Sequence, residues 1–255
     1  MQIKLSVVII TFNEEKNIER CLKSVIDLAD DILVLDSNST DQTRNIALKY
    51  GARVIEQSFL GYVAQKNKAN DIGKYDYILS LDADEVLSEQ LKNSFQEIKN
   101  DWQMDGYELK RLTNYCGHWV RYSGWYPDKK IRLFDRNKAK WIGESLHEKL
   151  VLNSGDKKGN LNGDLLHYSY FSISDHLKQI DKFTDIQAKT LVESNQKPNF
   201  YHFFIKPIFK FFRDYVVKLG FLDGIYGFNI AKYSALATYT KYMKAHLIFK
   251  QNKNE

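Results

Sequence analysis

Two cysteines in 255 residues, Cys21 on an expected helix and Cys116 in an expected loop, offer neither a disulfide framework nor a zinc pattern, so a reducing compartment is expected. No run of 18 or more apolar residues occurs, which excludes a membrane-spanning helix. The first residues enter a strand pattern with no charged leader, apolar core and cleavage site, and no secretory signal is expected. Glycine-rich phosphate loops are also missing: no G-x-G-x-x-G follows the first strand, and G-x-x-x-x-G-K-[ST] occurs nowhere. That disfavours an NAD-linked oxidoreductase and leaves any nucleotide to be held by side chains and a metal.

What is present describes a folded α/β chain. Hydrophobic residues make up 44% and charged residues 27%, the balance of a globular protein with a large core. Residues 5–12, LSVVIITF, and 31–36, DILVLD, are apolar, β-branched runs of the kind buried on both faces of a parallel sheet. Asn13 is placed to cap a helix over 14–28, and SNSTD holds cap candidates for a second helix that Gly51 ends. A short strand over 52–57, a mostly helical stretch over 59–73 and a strand ending at Asp82 complete a βαβ series. Beyond it, Ser88 caps a helix to about residue 99, and strands are expected over 106–115, 129–136, 147–152 and 164–170.

The chemistry centres on YILSLDADE. Ligands in open α/β sheets bind beyond the carboxyl ends of the strands. Asp82 and Asp84, read as alternate residues of an extended segment, would share a face there and could hold Mg²⁺ or Mn²⁺ against substrate phosphates. A strand-end turn with one solvated acid is the plainer reading. Asp36, ending the second strand, is placed either to accept from a ribose hydroxyl or base N–H or to cap a turn. The loop HWVRYSGWYPD supplies aromatic platforms and charged groups suited to a sugar, or simply packs as a connection.

Taken together, VVIITFNEE, ILVLDSNSTDQT and ILSLDADE resemble the inverting family 2 glycosyltransferases of GT-A fold, whose donor is a nucleotide sugar. This resemblance spans about the first 150 residues. WYPDKKIRLFDR, HEKL, LLHYSY and KPIFKFFRDYVVKLGFLDG further resemble bacterial lipopolysaccharide core glucosyltransferases, which add a β-linked glucose to inner-core heptose. The resemblance implies a mostly parallel sheet flanked by helices over 1–170 and a helical extension over 171–255. It implies that Thr11, Asn13 and Glu14 line the nucleotide pocket and that Asp36 contacts uracil or ribose of a UDP-sugar. Asp82 would face ribose and metal, Asp84 would bind the metal, and Arg132 could stabilise leaving-group charge or form a surface pair. The catalytic base is Glu148 first, with Asp128 and Glu144 behind it. A late histidine metal ligand would be His167, then His147, although either could be a hydrogen-bonded structural residue. The alternatives are another polysaccharide or protein acceptor, or a non-catalytic nucleotide-sugar-binding protein.

The net charge of +5 is unevenly spread, because residues 196–253 carry ten Lys/Arg against only Asp214 and Asp223. After a helix over 172–194, an apolar stripe through Ile205, Ile208, Phe209, Phe212, Val216 and Leu219 lies mostly apart from Lys206, Lys210, Arg213 and Lys218. A basic amphipathic helix of this kind reads as interfacial, contacting the cytoplasmic surface of the inner membrane and a lipid-linked acceptor; packing on the domain or on a second subunit is the other reading. Nucleic acid is not expected as a partner, since no binding motif accompanies the charge. Gly220, Gly224 and Gly227 would divide the segment into two shorter helices.

Overall fold

The computed structural model describes residues 2–143 and 148–252. The chain divides into two compact units, Met1–Leu112 with Asp128–Tyr168, and Thr113–Pro127 with Ser169–Glu255. The aromatic loop after residue 113 therefore groups with the C-terminal stretch.

The first unit is α/β, as expected. Strands β1 (Leu5–Thr11), β2 (Asp31–Asp36), β3 (Arg53–Glu56) and β4 (Tyr77–Asp82) pair in parallel in the order β3-β2-β1-β4. Side chains of β1 alternate between two cores: Leu5, Val7 and Ile9 pack on one face, Val8 on the other. The unbroken apolar run is thus buried on both sides, each such side chain contributing about 1.5–3 kcal/mol. Helices α1 (Ile18–Val25) and α4 (Glu89–Asn100) cover the first face, and α3 (Tyr62–Ile72) covers the second. Helix α2 (Thr43–Lys49) links β2 to β3. Ser88 caps α4 as expected, its hydroxyl accepting from the Leu91 amide.

The sheet is parallel only in this first half. Past β4 it continues through β8 (Asp128–Asp135), β6 (Gly106–Tyr115), β11 (Lys158–Tyr170) and β5 (Glu85–Leu87), antiparallel at β4–β8, β8–β6 and β11–β5. A separate hairpin pairs β9 (Ala139–Ile142), which the sequence pattern does not announce, with β10 (Lys149–Leu152). The expected 147–152 strand begins outside the described residues, as do Glu144 and His147.

Asn13 is not a helix cap. It takes a left-handed φ of 54°, and its side-chain oxygen accepts from the Thr40 amide, so α1 starts only at Ile18. A short polar side chain that bonds locally tolerates this conformation.

In the second unit, β7 (His118–Trp119) pairs with the end of β6, and α5 (Ile173–Glu193) is capped by the Ser172 hydroxyl. Residues 201–217 are helical: α6 (Lys206–Phe212) is bracketed by π turns, the first where Pro207 has no N–H to offer the preceding turn. Leu219 then turns left-handed, a 3₁₀ turn (Gly220–Asp223) follows, and α7 (Gly224–Gln251) runs for 28 residues. The glycines break the chain before α7, not within it. Gly227 sits inside α7, where a Cβ would lie 1.8 Å from the Gly220 carbonyl oxygen, so glycine is required for that approach.

Candidate functional site

Strand β4 delivers Asp82 to its carboxyl end, but the chain then turns at Ala83 and Asp84 before β5 begins at Glu85. The expected extended D-x-D with both side chains on one face is therefore corrected: the two aspartates have different partners. One Asp82 oxygen lies 3.0 Å from Lys66 Nζ and the other accepts from Arg132 Nη2 at 2.9 Å. Asp84 Oδ2 lies 3.1 Å from His167 Nε2. That meeting follows from register, since β11 pairs His167 opposite Glu85 on β5.

Glu85 is the anchor beneath them. Fully buried, it accepts from Arg132 Nη2 at 2.7 Å and from the Asp82 amide at 3.0 Å, and Arg111 Nη1 approaches to 3.4 Å. Arg111 reaches it from β6, while its Nε and Nη2 clamp Asp128, directly opposite in the β6–β8 register, at 3.0 and 2.6 Å. Lys130 stands 3.2 Å from the other Asp128 oxygen.

Burial opposes ionisation of Asp82, but Lys66 and then Arg132 outweigh it and hold its carboxyl far below the usual range. Burial also works against the Arg132 cation, and Glu85 and Asp82 overcome it, raising that guanidinium above its ordinary value. Both groups stay charged across the physiological range.

Glu148 lies 3.6 Å from Lys66 and is otherwise uncommitted to a cation among the described ion pairs. Lys66 stands 4.5 Å over the Trp141 ring and Arg132 5.4 Å from it, a cation–π arrangement. A cleft of about 520 Å³ opens beside this group, lined by Leu60, Tyr62, Val63, Asn67, Trp141 and Ile142. Burial first, then Glu148 and Asp82, push the Tyr62 phenol up, so this cleft wall feels both carboxylates.

Loops after β1 and β2 are stitched together: the Asn13 amide donates to Ser39 Oγ at 2.9 Å and the Glu14 amide to Thr43 Oγ1 at 2.8 Å. Asp36 is fully buried with both oxygens taken by Ser39, at 2.7 Å from its amide and 2.5 Å from its hydroxyl. Burial raises the Glu14 carboxyl, helped by the fields of Asp84, Asp41 and Asp82, while a 2.6 Å bond from Asn17 works against this. Thr11 Oγ1, Arg132 Nε and Trp141 Nε1 are buried donors without a hydrogen-bond partner. Behind the site, Cys21 Sγ faces the Asp82 carbonyl at 3.8 Å, and burial together with the surrounding carboxylates pushes its thiol well up.

Among the described residues no group of three or more His, Cys, Asp or Glu side chains is arranged for a metal ion. Asp84 and His167, 3.1 Å apart, are the side chains here whose donor chemistry suits a divalent cation. Asp82, with both oxygens on cations, does not fit as a direct ligand. Lys66, Glu85 and Arg111 escape a reading based on motifs. Only Lys66 has a visible signal, on α3, whose buried positions are Gln65, Lys66, Ala69 and Asn70 in place of an apolar stripe.

In the second unit the aromatic loop packs inward. Trp125, Tyr115, Tyr170 and His176 form a ring cluster, and His118 stacks on Tyr226 at 4.6 Å. Asp223 ties the loop down, accepting from the Tyr122 amide at 2.9 Å and the Arg121 amide at 3.3 Å and lying 3.2 Å from His118 Nε2.

The chain is similar to several known proteins. The profile of glycosyl transferase family 2 matches residues 6–106. An uncharacterized glycosyltransferase of Rickettsia bellii is 33% identical over 94% of this chain and 85% of its own length. A lipopolysaccharide core biosynthesis glycosyltransferase, LpsC of Rhizobium meliloti, is 27% identical over 84% of this chain and 81% of its own. Among solved structures, S. aureus TarS 1-349 in complex with UDP-GlcNAc has a TM-score of 0.49 at 15% identity, covering 98% of this chain and 92% of that one. The similarity to the Rickettsia protein over 94% of this chain, on a mixed α/β sheet whose parallel half ends in these acids, makes the chain a glycosyltransferase, and it belongs to glycosyl transferase family 2.

Proposed function

We propose that this protein transfers a hexose, glucose, from a UDP-sugar to a lipid-linked saccharide of the lipopolysaccharide core at the cytoplasmic surface of the inner membrane, with inversion at the anomeric carbon. The observation that carries the reading is the cluster at the end of β4, where Asp84 with His167 and Glu148 with Lys66 flank the Asp82–Arg132–Glu85 network, in which Arg132 and Glu85 are buried and Asp82 is partly exposed. The similarity to LpsC supports the acceptor class.

A divalent cation, Mg²⁺ or Mn²⁺, held by Asp84 and His167 would neutralise charge on the donor diphosphate as it leaves. The chain's own residues do the rest. Thr11, Asn13 and Glu14 border the nucleoside, with the Thr11 hydroxyl available to it, whereas Asp36, buried with both oxygens on Ser39, caps the turn behind them and is not a direct contact to uracil or ribose. Asp82 is kept ionised to face the ribose, and Lys66 and Arg132 add positive field at the leaving group, Arg132 preorganised by Glu85 and Lys66 by Asp82, so that no rearrangement is needed during transfer. The acceptor hydroxyl attacks the anomeric carbon as its bond to the phosphate oxygen breaks, and Glu148 takes the hydroxyl proton. Asp128 is the weaker candidate base, because Arg111 and Lys130 occupy its oxygens. The cleft walls of Tyr62 and Trp141 suit a sugar ring.

Calorimetric titration of UDP, with GDP as control, with and without Mn²⁺, on the wild type and Asp84→Ala, tests the donor half. UDP binding that requires both the metal and Asp84 is expected. Absence of nucleotide binding under every condition overturns it.

A further inference from the structure

The helical stretch 201–217 is turned inside out for a soluble protein. Its inward positions include Pro207 and the carboxylate of Asp214, whereas Ile208, Phe209 and Phe212 face solvent, Ile208 at 68% exposure. Helices that pack on a domain present the opposite pattern. The apolar surface continues over the 3₁₀ turn with Phe221 and Leu222 and onto the first turn of α7 with Ile225, 64% exposed. Monomeric proteins rarely leave so continuous a patch uncovered.

Charge on this stretch is sorted by depth. Its only two carboxylates are buried, Asp214 at 1% and Asp223 at 5% exposure. Asp214 is bound by Lys210 and Arg213, and Asp223 holds the aromatic loop. Every solvent-facing charge among the described residues from 196 onward is therefore positive.

We propose that this face docks in the plane of an anionic lipid bilayer, the helical stretch and the 3₁₀ turn entering the boundary between head groups and acyl chains while the lysines and arginines meet lipid phosphates. The proposal deepens the lipid-linked acceptor reading above, on which its purpose rests. No helix among the described residues is long and apolar enough to cross a membrane, so the face can only lie along the surface. A second copy is the poorer occupant, since pairing this face with itself sets cation against cation. A lipid surface supplies hydrocarbon and anionic head groups together.

The test is co-sedimentation of the full chain with vesicles of phosphatidylcholine alone or mixed with phosphatidylglycerol, at low and high salt. Beside it run the triple variant Ile208→Ser, Phe209→Ser, Phe212→Ser and the pair Leu222→Ser, Ile225→Ser, in case one set disturbs folding. Wild type should bind the mixed vesicles and lose affinity in high salt. The triple variant should bind at least about a hundredfold more weakly, with unchanged circular dichroism. UDP binding measured on the same proteins should not change, which separates failure here from failure of the transferase reading. Wild type that ignores both vesicles, binding indifferent to anionic lipid and salt, or variants that bind as wild type would overturn the proposal. A dimer that the substitutions dissociate, without vesicle binding, assigns the face to a second copy.

Discussion

Around the end of β4, Lys66, Arg111 and Arg132 are set against Asp82, Glu85, Asp128 and Glu148; Lys66, Arg132 and Glu85 are buried and the other four half-buried. From residue 196 onward the same residue types are arranged oppositely: both acids point inward and the cations outward. In the first region charge is an internal instrument, fixed in advance against partners so that it acts on whatever enters. In the second it is a surface property that acts at a distance and is screened by salt. A count of Lys and Arg does not distinguish the two; the burial of Lys66 and Arg132 against the outward cations after residue 196 does.

The sharpest way to break this contrast is Glu85→Gln. Two guanidiniums would lose a buried partner, and stability should fall by about 3–5 kcal/mol in urea denaturation. A loss below about 1 kcal/mol, the scale of an exposed pair, would show that the first region is not internally paired. Next in size, Glu148→Gln should lower turnover at least about a hundredfold while UDP binding stays near wild type. Asp128→Asn should instead act mainly through Arg111 and lower the melting temperature.

A smaller effect separates the two units by pH. In the C-terminal unit burial pushes the His176 imidazole down to about 4, its Nδ1 lying 3.0 Å from the Tyr115 hydroxyl. A depressed histidine contributes stability that is complete above its ordinary value of 6.5 and is lost as pH falls from there through about 4, because the unfolded chain takes up the proton first. His176→Gln should flatten the decline of melting temperature over that window. The carboxylates of the first unit that are held low, Asp82 foremost, titrate only in stronger acid. Smallest of all, Ser88→Ala and Ser172→Ala should each cost about 1 kcal/mol, alike in both units, because helix capping is indifferent to the charge around it.

Much of this was legible in the sequence. The runs at β1, β2 and β4 announce buried parallel strands because a strand covered on both faces must be apolar throughout, Ser88 announces its helix by side-chain chemistry, and the spacing of Ile173, Leu177, Ile180, Phe183 and Ile186 announces α5. Asn13 misled because the same short polar side chain serves a cap and a left-handed turn, and only the Thr40 amide decides between them. The D-x-D spacing pointed to the end of β4 but gave the wrong local geometry, since nothing in three residues shows that the chain turns at Ala83. Lys66, Arg111 and Glu85 were hidden because their meaning arises from pairing across elements: Arg111 matters through the strand register that sets it against Asp128.

Cys21 and Cys116 give the chain an experimental convenience. Thiol reagents attack the thiolate, and Cys21, buried behind Asp82 with its ionisation suppressed, is closed to them. Burial and then Asp175 push the Cys116 thiol up as well, but it is partly exposed, in the other unit, and it is this exposure that separates the two. The unaltered protein thus carries a single attachment point for a fluorophore or spin label, remote in sequence from the acids of β4, and labelling it requires no engineered cysteine and no removal of a native one.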